Sequence, residues 1–370
     1  MRESSIYDVL SKVQDPELKK DIVSLNIVKN IRIEGDKVSF TIVLGNPNLS
    51  TEVKGKLRQD CQEAIHTIYP DAKVMVNFNS KNVSHKSNPN LFDKSGVLEG
   101  VKNIIAVFSG KGGVGKSTVA TNLALAIATN KELKVGLMDA DIYGPSGHIM
   151  MGVRGEHPRM RDVDGKPKIV PINRYGISMM SIGLLVDEQQ AVVWRGPMVS
   201  SAIKQFTRDV DWGELDYLVI DMPPGTGDIH LTIAQSVPVK GVVIVTTPQL
   251  VALADAKKGV AMFHQPGLKV PIIGLVENMS YFTPPELPNN KYYIFGKEGG
   301  KKLALESDIP FLGEIPLVNS IREGGDIGVP AMVGDDPITI EAFKAFSEAV
   351  IRRVEAINAE AAHEVDYSAF

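Results

Sequence analysis

The stretch NIIAVFSGKGGVGKST, residues 103–118, decides the fold of this chain. An apolar run leads into a glycine-rich loop, and the helical pattern STVATNLALAIATN follows from residue 117. Such a loop can wrap phosphate, because glycines let backbone N–H groups turn inward and the helix N-terminus adds its positive dipole end. We therefore expect the loop residues to contact a nucleotide: Gly110, Lys111, Gly112, Gly113, Val114, Gly115, Lys116, Ser117 and Thr118.

Two side chains of this loop carry specific chemical expectations. A lysine at the helix start reaches the β- and γ-phosphates of a bound nucleotide, and the hydroxyl that follows binds Mg²⁺. Lys116 and Ser117 occupy these two positions. The sequence therefore predicts an ATP and Mg²⁺ site, with Lys116 as a catalytic residue and Ser117 as a metal ligand.

Residues 98–370 have the pattern of an α/β domain. Short, almost continuous apolar runs alternate with helical segments, which indicates a mostly parallel sheet with helices on both faces. The strand order cannot be deduced from these runs. They are NIIAVFSG, KVGLMDAD, ISMMSIGLL, DYLVIDMPP, GVVIVTTP, VPIIGLVENM and IPFLGEIPL.

A smaller α/β unit is predicted ahead of this domain, over residues 1–79. The pattern gives a helix over 4–13, a hairpin over 31–42, a helix over 50–68 and a strand over 73–78. Residues 80–97 are rich in serine, asparagine and lysine and lack periodicity, so we expect a linker there. Cys61 is the only cysteine, and its helical spacing from Leu57 and Ile65 predicts a buried core position.

Three aspartates stand where predicted strands end. Asp139 and Asp141 end KVGLMDAD, and Asp221 ends DYLVID. Ligands of open α/β sheets bind at the carboxyl edge of the strands, so these carboxylates are candidate site residues. Caps and ordinary strand-end charges are the alternative interpretation. The loop after Asp221, residues 222–228, is a candidate switch that responds to the γ-phosphate.

The loop GKGGVGKST, with its additional Lys111, resembles the deviant Walker A group that includes the MinD and ParA ATPases. This resemblance implies an ATP-sandwich homodimer in which Lys111 acts on the partner's nucleotide. It also implies that Asp141 positions the attacking water, and that Asp139 and Asp221 support Mg²⁺. Asn278 and Pro316 occupy positions where this class contacts adenine, with a turn or cap as the alternative for Asn278.

Most of the chain resembles one subfamily, the Mrp/ApbC-type iron–sulfur cluster carrier ATPases. The N-terminal stretch DPELKKDIVSLNIV (15–28) resembles the MIP18-type domain that bacterial members carry. The implied partners are a second copy of the chain and iron–sulfur apoproteins or assembly factors. The matching stretches are MDADIYGPS (138–146), WRGPM (194–198), DYLVIDMPPGTGDIHLT (216–232), TTPQLVALADAKKG (246–259), VENMSYF (276–282) and GEIPL (313–317).

One departure concerns the cluster ligands. The subfamily usually has Cys-x-x-Cys after this NMSYF segment, whereas Pro284 and Leu287 stand there in this chain. Related N-terminal domains often carry a cysteine near residues 45–47, and this one does not. Clusters are held mainly by cysteine thiolates, so no cluster ligand is identifiable. A [4Fe–4S] cluster would then be labile or completed by an external thiol.

Three functions therefore compete. The first is an ATP-hydrolysing cluster carrier or assembly factor, the second an ATP-switched adaptor that carries no cluster, and the third a MinD/ParA-like positioning ATPase. The third needs a DNA-binding or membrane-binding surface, but the net charge is −4 and the C-terminal amphipathic pattern over 338–357 mixes both charges. No apolar run is long enough for a bilayer and no secretory signal is recognisable. We expect a cytoplasmic protein that binds neither nucleic acid nor membrane.

Overall fold

The computed structural model describes residues 3–14, 21–24, 27–44, 51–80, 97–163, 165–186, 196–265, 268, 270–284, 286–287 and 289–367. The chain forms two compact units, Met1–Phe92 and Asp93–Phe370. The predicted linker, residues 80–97, lies almost entirely outside the described residues. So do residues 45–47 and much of the stretch 15–28.

The N-terminal unit has the predicted α/β order. Strand β2 pairs antiparallel with β1 and parallel with β3, and the two helices pack on these strands. Cys61 is fully buried in this core beside Leu57 and Ile65, which confirms the structural interpretation of the thiol. The elements are α1 (Glu3–Leu10), β1 (Val28–Glu34), β2 (Lys37–Leu44), α2 (Thr51–His66) and β3 (Lys73–Ser80).

The second unit is built on an eight-stranded sheet with the order β13-β12-β11-β4-β10-β5-β9-β8. All neighbouring strands run parallel except β8 and β9. The strands of this unit are β4 (Val101–Phe108), β5 (Val135–Asp139), β6 (Arg159–Val163), β7 (Lys166–Val170), β8 (Ile172–Arg174), β9 (Ile177–Ser181), β10 (Leu215–Asp221), β11 (Gly241–Thr246), β12 (Ile272–Glu277) and β13 (Phe311–Glu314).

Helices cover this sheet. Every residue of β5, β11 and β12 is buried, so both faces of these strands are shielded from water, as the apolar runs predict. The helices are α3 (Lys116–Ile127), α4 (Gly147–Met150), α5 (Gly196–Arg208), α6 (Asp228–Ser236), α7 (Leu250–Phe263), α8 (Gly299–Glu306), α9 (Asn319–Ile327) and α10 (Pro337–Tyr367), with a 3₁₀ turn at Ile182–Leu184.

Three features differ from the sequence expectations. The short edge strand β8 matches none of the seven apolar runs, because two of its three residues are polar and exposed. Strands β6 and β7 form a separate antiparallel ribbon, which the sequence did not predict because polar residues interrupt its apolar ones. The final helix extends beyond the predicted 338–357, because its last turns continue the same helical pattern with polar residues. Within the described residues, no helix combines the length and the apolar character that crossing a bilayer would require.

Candidate active site

The glycine-rich loop joins the end of β4 to the start of α3. Gly113 and Gly115 adopt left-handed backbone conformations, with φ of 84° and 79°. Residues with side chains rarely adopt such angles. A Cβ on Gly115 would also overlap the amide of Asn278, and a Cβ on Gly110 would overlap the carbonyl of Asp255 in α7. The shape of the loop therefore depends on glycine at these positions.

Lys116 lies at the centre of the site, only 5% exposed. Its Nζ is 2.5 Å from Asp221 Oδ1, 3.2 Å from Asp141 Oδ2 and 3.3 Å from Ser117 Oγ. Burial alone disfavours the charged form of a lysine, but the carboxylates of Asp221 and Asp141 outweigh it and raise the pKa of Lys116. The ammonium therefore stays charged. An incoming phosphate could replace the oxygen atoms of Asp221, Asp141 and Ser117 as its hydrogen-bond acceptors.

Asp221 lies at the end of β10, next to β4 and β5 in the sheet. Burial raises the pKa of Asp221 to about 6, against the opposing attraction of Lys116. The negative charge of Asp139 also raises this pKa, and a hydrogen bond from Ser117 lowers it. Asp221 is therefore a desolvated carboxylate with a hydroxyl beside it, in a cluster with more negative than positive charge.

Asp139 is fully buried and its carboxylate is already engaged by the protein. One oxygen accepts hydrogen bonds from the Gly147 N–H at 2.9 Å and the Ser181 hydroxyl at 2.7 Å. The other accepts from the Asp141 N–H at 3.1 Å. Burial raises the pKa of Asp139 and these hydrogen bonds oppose the rise. This geometry gives Asp139 a positioning role for the segment 141–147, and its predicted part in the magnesium shell stays a prediction.

Asp141 is engaged by the protein on both carboxylate oxygens, whereas Lys111 is engaged through its backbone. Asp141 accepts the Tyr143 and Gly144 N–H groups on one oxygen, both at 3.2 Å, and Lys116 on the other. The backbone carbonyl of Lys111 accepts a hydrogen bond from the Ser109 hydroxyl at 2.9 Å. Across the described ranges, the Lys111 ammonium forms no ion pair. Its charge remains available for a ligand or a second chain.

A cavity of about 420 Å³ opens beside the loop. Thr118, Asn278 and Pro316 all line it, so the structure brings the two predicted base-side residues together with the phosphate loop. The Asn278 amide donates a hydrogen bond to the Val114 carbonyl at 2.9 Å. Asn278 therefore fixes the loop itself, a contact that the sequence did not predict. Its predicted adenine contact would use the amide oxygen and the second N–H.

The loop after β10 is braced by His230, a residue that the sequence analysis did not single out. The ring nitrogens of buried His230 lie 2.8 Å from the Pro223 carbonyl and 3.0 Å from the Gly227 carbonyl. The Gly225 N–H donates to the Ser109 carbonyl at 2.9 Å. Both histidine contacts go to backbone carbonyls, which leave no pattern in a sequence. The candidate switch is thus tied to the end of β4 and to the start of α6.

Comparison with known protein families gives this site a context. The model of the NUBPL iron-transfer P-loop NTPase family matches residues 100–352, which are more than half of the chain. This chain belongs to that family. A second family model, described as iron–sulfur cluster assembly protein, matches residues 3–78. The resemblance stated from the sequence motifs is confirmed for both units.

Similar proteins carry consistent descriptions. An iron–sulfur cluster carrier protein of Synechocystis sp. is 46% identical over 351 residues, covering 95% of this chain and 97% of the relative. An Arabidopsis thaliana iron–sulfur protein required for NADH dehydrogenase is 51% identical and covers 69% of this chain and 80% of its own. A nucleotide-binding protein of Archaeoglobus fulgidus, solved with ADP, superposes with a TM-score of 0.57 at 37% identity, covering 68% of this chain and 96% of its own.

The oxygen atoms around Lys116 suit magnesium. Mg²⁺ prefers oxygen donors and is usually held by one or two protein groups together with substrate phosphates. Ser117 and Asp221 contact each other at the start of α3 and the end of β10. Burial is the main cause of the raised pKa of Asp221, and the negative charge of Asp139 adds to it, so a bound cation would stabilise the ionised carboxylate. These two residues are the ones that would hold the ion.

The residues present do not suit a cluster held by this chain. Cys61, the only cysteine, is buried in the N-terminal unit, where burial raises its thiol pKa to about 12 and the neighbouring charge of Asp60 adds to the rise. Pro284 and Leu287 form a turn closed by the Leu287 N–H on the Pro284 carbonyl. Neither side chain can ligate iron. In the part of the chain that the structure describes, no three histidine, cysteine or acidic side chains converge as a metal site.

Proposed function

We propose that this chain is a Mg²⁺-dependent ATP hydrolase that works as a homodimer and serves iron–sulfur cluster assembly as a carrier or assembly factor. The observation that carries the proposal is the arrangement of Lys116, Ser117, Asp141 and Asp221 beside the cavity of Asn278 and Pro316. The cluster-related role rests on the descriptions of the relatives.

The ion pairs of Lys116 suggest how the site responds to ATP. The phosphate oxygens of ATP compete with Asp221 and Asp141 for the Lys116 ammonium. When Lys116 turns to the phosphates, Asp221 and Ser117 are free to take the metal, and Asp141 is free to orient the attacking water. Magnesium, when bound, neutralises charge on the β- and γ-phosphates. Lys111 of a second chain would stabilise the charge that develops during transfer, as an arginine finger does.

Exposed apolar residues near the site support the dimer. Leu250 and Val251, the first residues of α7, are 84% and 63% exposed. Gly110 packs on the backbone of the same helix. Apolar side chains exposed beside a nucleotide site are typical of a surface that another molecule covers. A second copy would cover them while delivering its Lys111.

The absence of convergent thiols shapes the cluster-related role. A carrier with one buried cysteine handles a cluster only through thiols of a partner or of a small molecule such as glutathione. The same burial of Cys61 favours the second candidate, an ATP-switched adaptor that presents its partners to each other and carries no cluster. In both cases ATP binding would assemble the dimer with its partners, and ATP hydrolysis would release them.

Steady-state ATP hydrolysis tests the proposed activity. We expect turnover that requires Mg²⁺. It should fall at least about 100-fold in Lys116→Ala, because the variant lacks the positive charge that contacts the β- and γ-phosphates. Lys131→Ala, at an exposed lysine after α3, is the matched control and should keep the parental rate. Parental turnover in Lys116→Ala would sink the assignment of the site.

A further inference from the structure

A second and larger cavity, of about 730 Å³, lies along the edge of the main sheet. All four residues of β13 line it, and so do the N-terminal ends of α8 and α10. We call this cavity the β13 groove. It is separate from the nucleotide cavity, since no residue lines both.

The floor of the β13 groove is a sheet edge. Strand β13 is the last strand of its sheet and pairs only with β12, as far as the described residues extend. An edge strand presents backbone N–H and C=O groups that an added strand can pair with. Phe311, Gly313 and Glu314 are each partly accessible there. A groove with a strand edge as its floor and a helix on either side suits an extended peptide.

The side chains of the groove combine rings with acids. Among the acids, Glu298 pairs with Lys301 at 3.9 Å. Glu314 is partly buried and forms no hydrogen bond or ion pair with the described part of the chain, and neither does exposed Glu341. Burial raises the pKa of Glu314, and the nearby charge of Glu277 adds to the rise. Lys291 and Lys301 are near enough to oppose this rise, but neither forms a direct ion pair with Glu314. Glu314 and Glu341 are therefore the two groove carboxylates without a direct partner in the described part of the chain.

Two tyrosine rings of the lining already face lysines of this chain. The Lys291 ammonium lies 3.8 Å from the centre of the Tyr281 ring, and the Lys297 ammonium lies 5.0 Å from that of Tyr293. Ring faces attract cations through their quadrupole. Phe311, Ile338 and Phe346 supply the apolar part of the lining.

We propose that the β13 groove binds an extended segment of a partner protein in which lysine or arginine side chains alternate with apolar ones. The segment pairs with β13 as an added strand. Its basic side chains would meet Glu314 and Glu341, and its apolar side chains would pack on Phe311, Ile338 and Phe346.

The groove is connected to the nucleotide cavity through two paired segments. Tyr281 and Glu314 line the groove, whereas Met279 and Leu317, a few residues away, line the nucleotide cavity. The Ser280 N–H donates to the Ile315 carbonyl at 3.0 Å, and the Leu317 N–H donates to the Tyr281 carbonyl at 2.8 Å. We expect a shift at one cavity to reach the other through these segments, in which case the two ligands change each other's affinity by the same factor. This coupling rests on the proposed nucleotide binding, but the groove itself does not.

Fluorescence anisotropy with a defined probe tests the groove on the full chain. The probe is a short labelled peptide in which valine and lysine alternate. We expect saturable binding that weakens about tenfold in the double variant Glu314→Gln, Glu341→Gln, as loss of charge-assisted contacts predicts. Ala345→Trp, at an exposed lining position of α10, should block the groove without removing a charge. Glu348→Gln, exposed on the same helix outside the groove, is the control and should bind normally.

Two further peptides separate strand addition from general charge attraction. A valine–glutamate peptide and a valine–lysine peptide methylated on alternate backbone nitrogens should both fail to bind. Equal binding of the methylated peptide, or binding that ignores both groove variants, would overturn the proposal. So would a monomer–dimer equilibrium that Ala345→Trp abolishes while no peptide binds, because a second copy would then occupy the groove.

The coupling is measured with the same probe with and without saturating ATP. We expect the peptide affinity to change at least about threefold. ATP binding is followed separately with a fluorescent analogue. Failure of ATP to bind would contradict the proposed function and leave peptide binding intact, whereas bound ATP without any effect on the peptide would overturn the coupling alone.

Discussion

Two buried residues, Lys116 and Cys61, show how burial decides chemistry at the scale of the single residue. Lys116 is buried with two carboxylates, so its charge is held where phosphate would bind. Cys61 is buried among apolar side chains, so its thiol stays protonated. The first environment keeps the lysine positively charged, and the second keeps the cysteine protonated and therefore unreactive.

The thiol of Cys61 should react very slowly in the folded protein. Its pKa rises from 9.0 to about 12, so near pH 8 the thiolate is on the order of 1,000-fold rarer than in the unfolded chain. We expect alkylation by iodoacetamide to be slower by at least that factor in native protein than in denaturant. Rapid labelling of the native protein would show that the thiol is accessible.

The replacement Cys61→Ser should act on stability alone. A hydroxyl buried without a partner costs about 1–3 kcal/mol of folding free energy, which denaturant unfolding of the N-terminal unit would measure. ATP turnover should remain parental. Lys56→Ser, at an exposed position of α2, is the control for the helix itself.

At the scale of elements, the loop between β4 and α3 is fixed by the turn that follows β12. Asn278 donates to the Val114 carbonyl, and Gly115 leaves space for that amide. The next residue, Met279, has a φ of 54°, which is uncommon for a residue with a side chain. The phosphate loop and the β12 turn are therefore in direct contact and hold each other in place.

Replacement of Asn278 distinguishes loop positioning from base recognition. We expect Asn278→Ala to raise the KM for ATP about fivefold, because a hydrogen bond that holds the loop contributes roughly 1 kcal/mol. A positioning residue weakens ATP and GTP equally, whereas a residue that contacts adenine weakens ATP selectively. Steady-state kinetics with both nucleotides measure this, with exposed Asn290→Ala as control. A loss confined to ATP would contradict the positioning role.

Burial explains which elements could be predicted from the sequence. The seven apolar runs are all strands of the main sheet, because strands covered on both faces need continuous apolar side chains. The ribbon of β6 and β7 lacks such runs: RMRDV and KPKIV expose most of their side chains. The order of the strands depends on contacts between segments far apart in the chain, which periodicity does not record.

The residues of the candidate site also divide into those that the sequence predicts and those that it does not. Lys116 and its loop form a local motif, and the three aspartates follow strands, so their positions could be predicted. The partners of Asp139 could not, since Ser181 lies 42 residues away and Gly147 contributes only its N–H. The contacts of His230 and Asn278 could not be predicted either, because their partners are backbone carbonyls, which every residue has.

At the scale of the whole molecule, the exposed residues around the nucleotide site favour two chains acting together. Leu250 and Val251 are uncovered, and the Lys111 ammonium has no ion-pair partner among the described residues. A second copy of the chain would cover these apolar side chains and would also offer a nucleotide to the Lys111 ammonium. Activity would then depend on protein concentration, because the monomer lacks a complete site.

Mixed dimers test whether Lys111 acts on the partner's nucleotide. Lys111→Ala and Asp141→Ala should each be inactive alone. When mixed in equal amounts, about half of the dimers are mixed and each has one intact composite site, so about a quarter of parental turnover should return. Native mass spectrometry of the mixture would check that mixed dimers form. No recovery despite such dimers would mean that Lys111 acts within its own chain or not at all.

The iron and sulfide that remain bound after anaerobic reconstitution measure most directly whether this protein holds a cluster of its own. The protein is reconstituted, desalted and analysed for iron and sulfide, with ultraviolet–visible and Mössbauer spectra to identify any cluster. Because Cys61 is buried and Pro284 and Leu287 cannot ligate iron, we expect far less than one cluster per dimer in the absence of an added thiol. Stoichiometric iron and sulfide per dimer, lost in Cys61→Ser, would contradict this and make Cys61 a ligand.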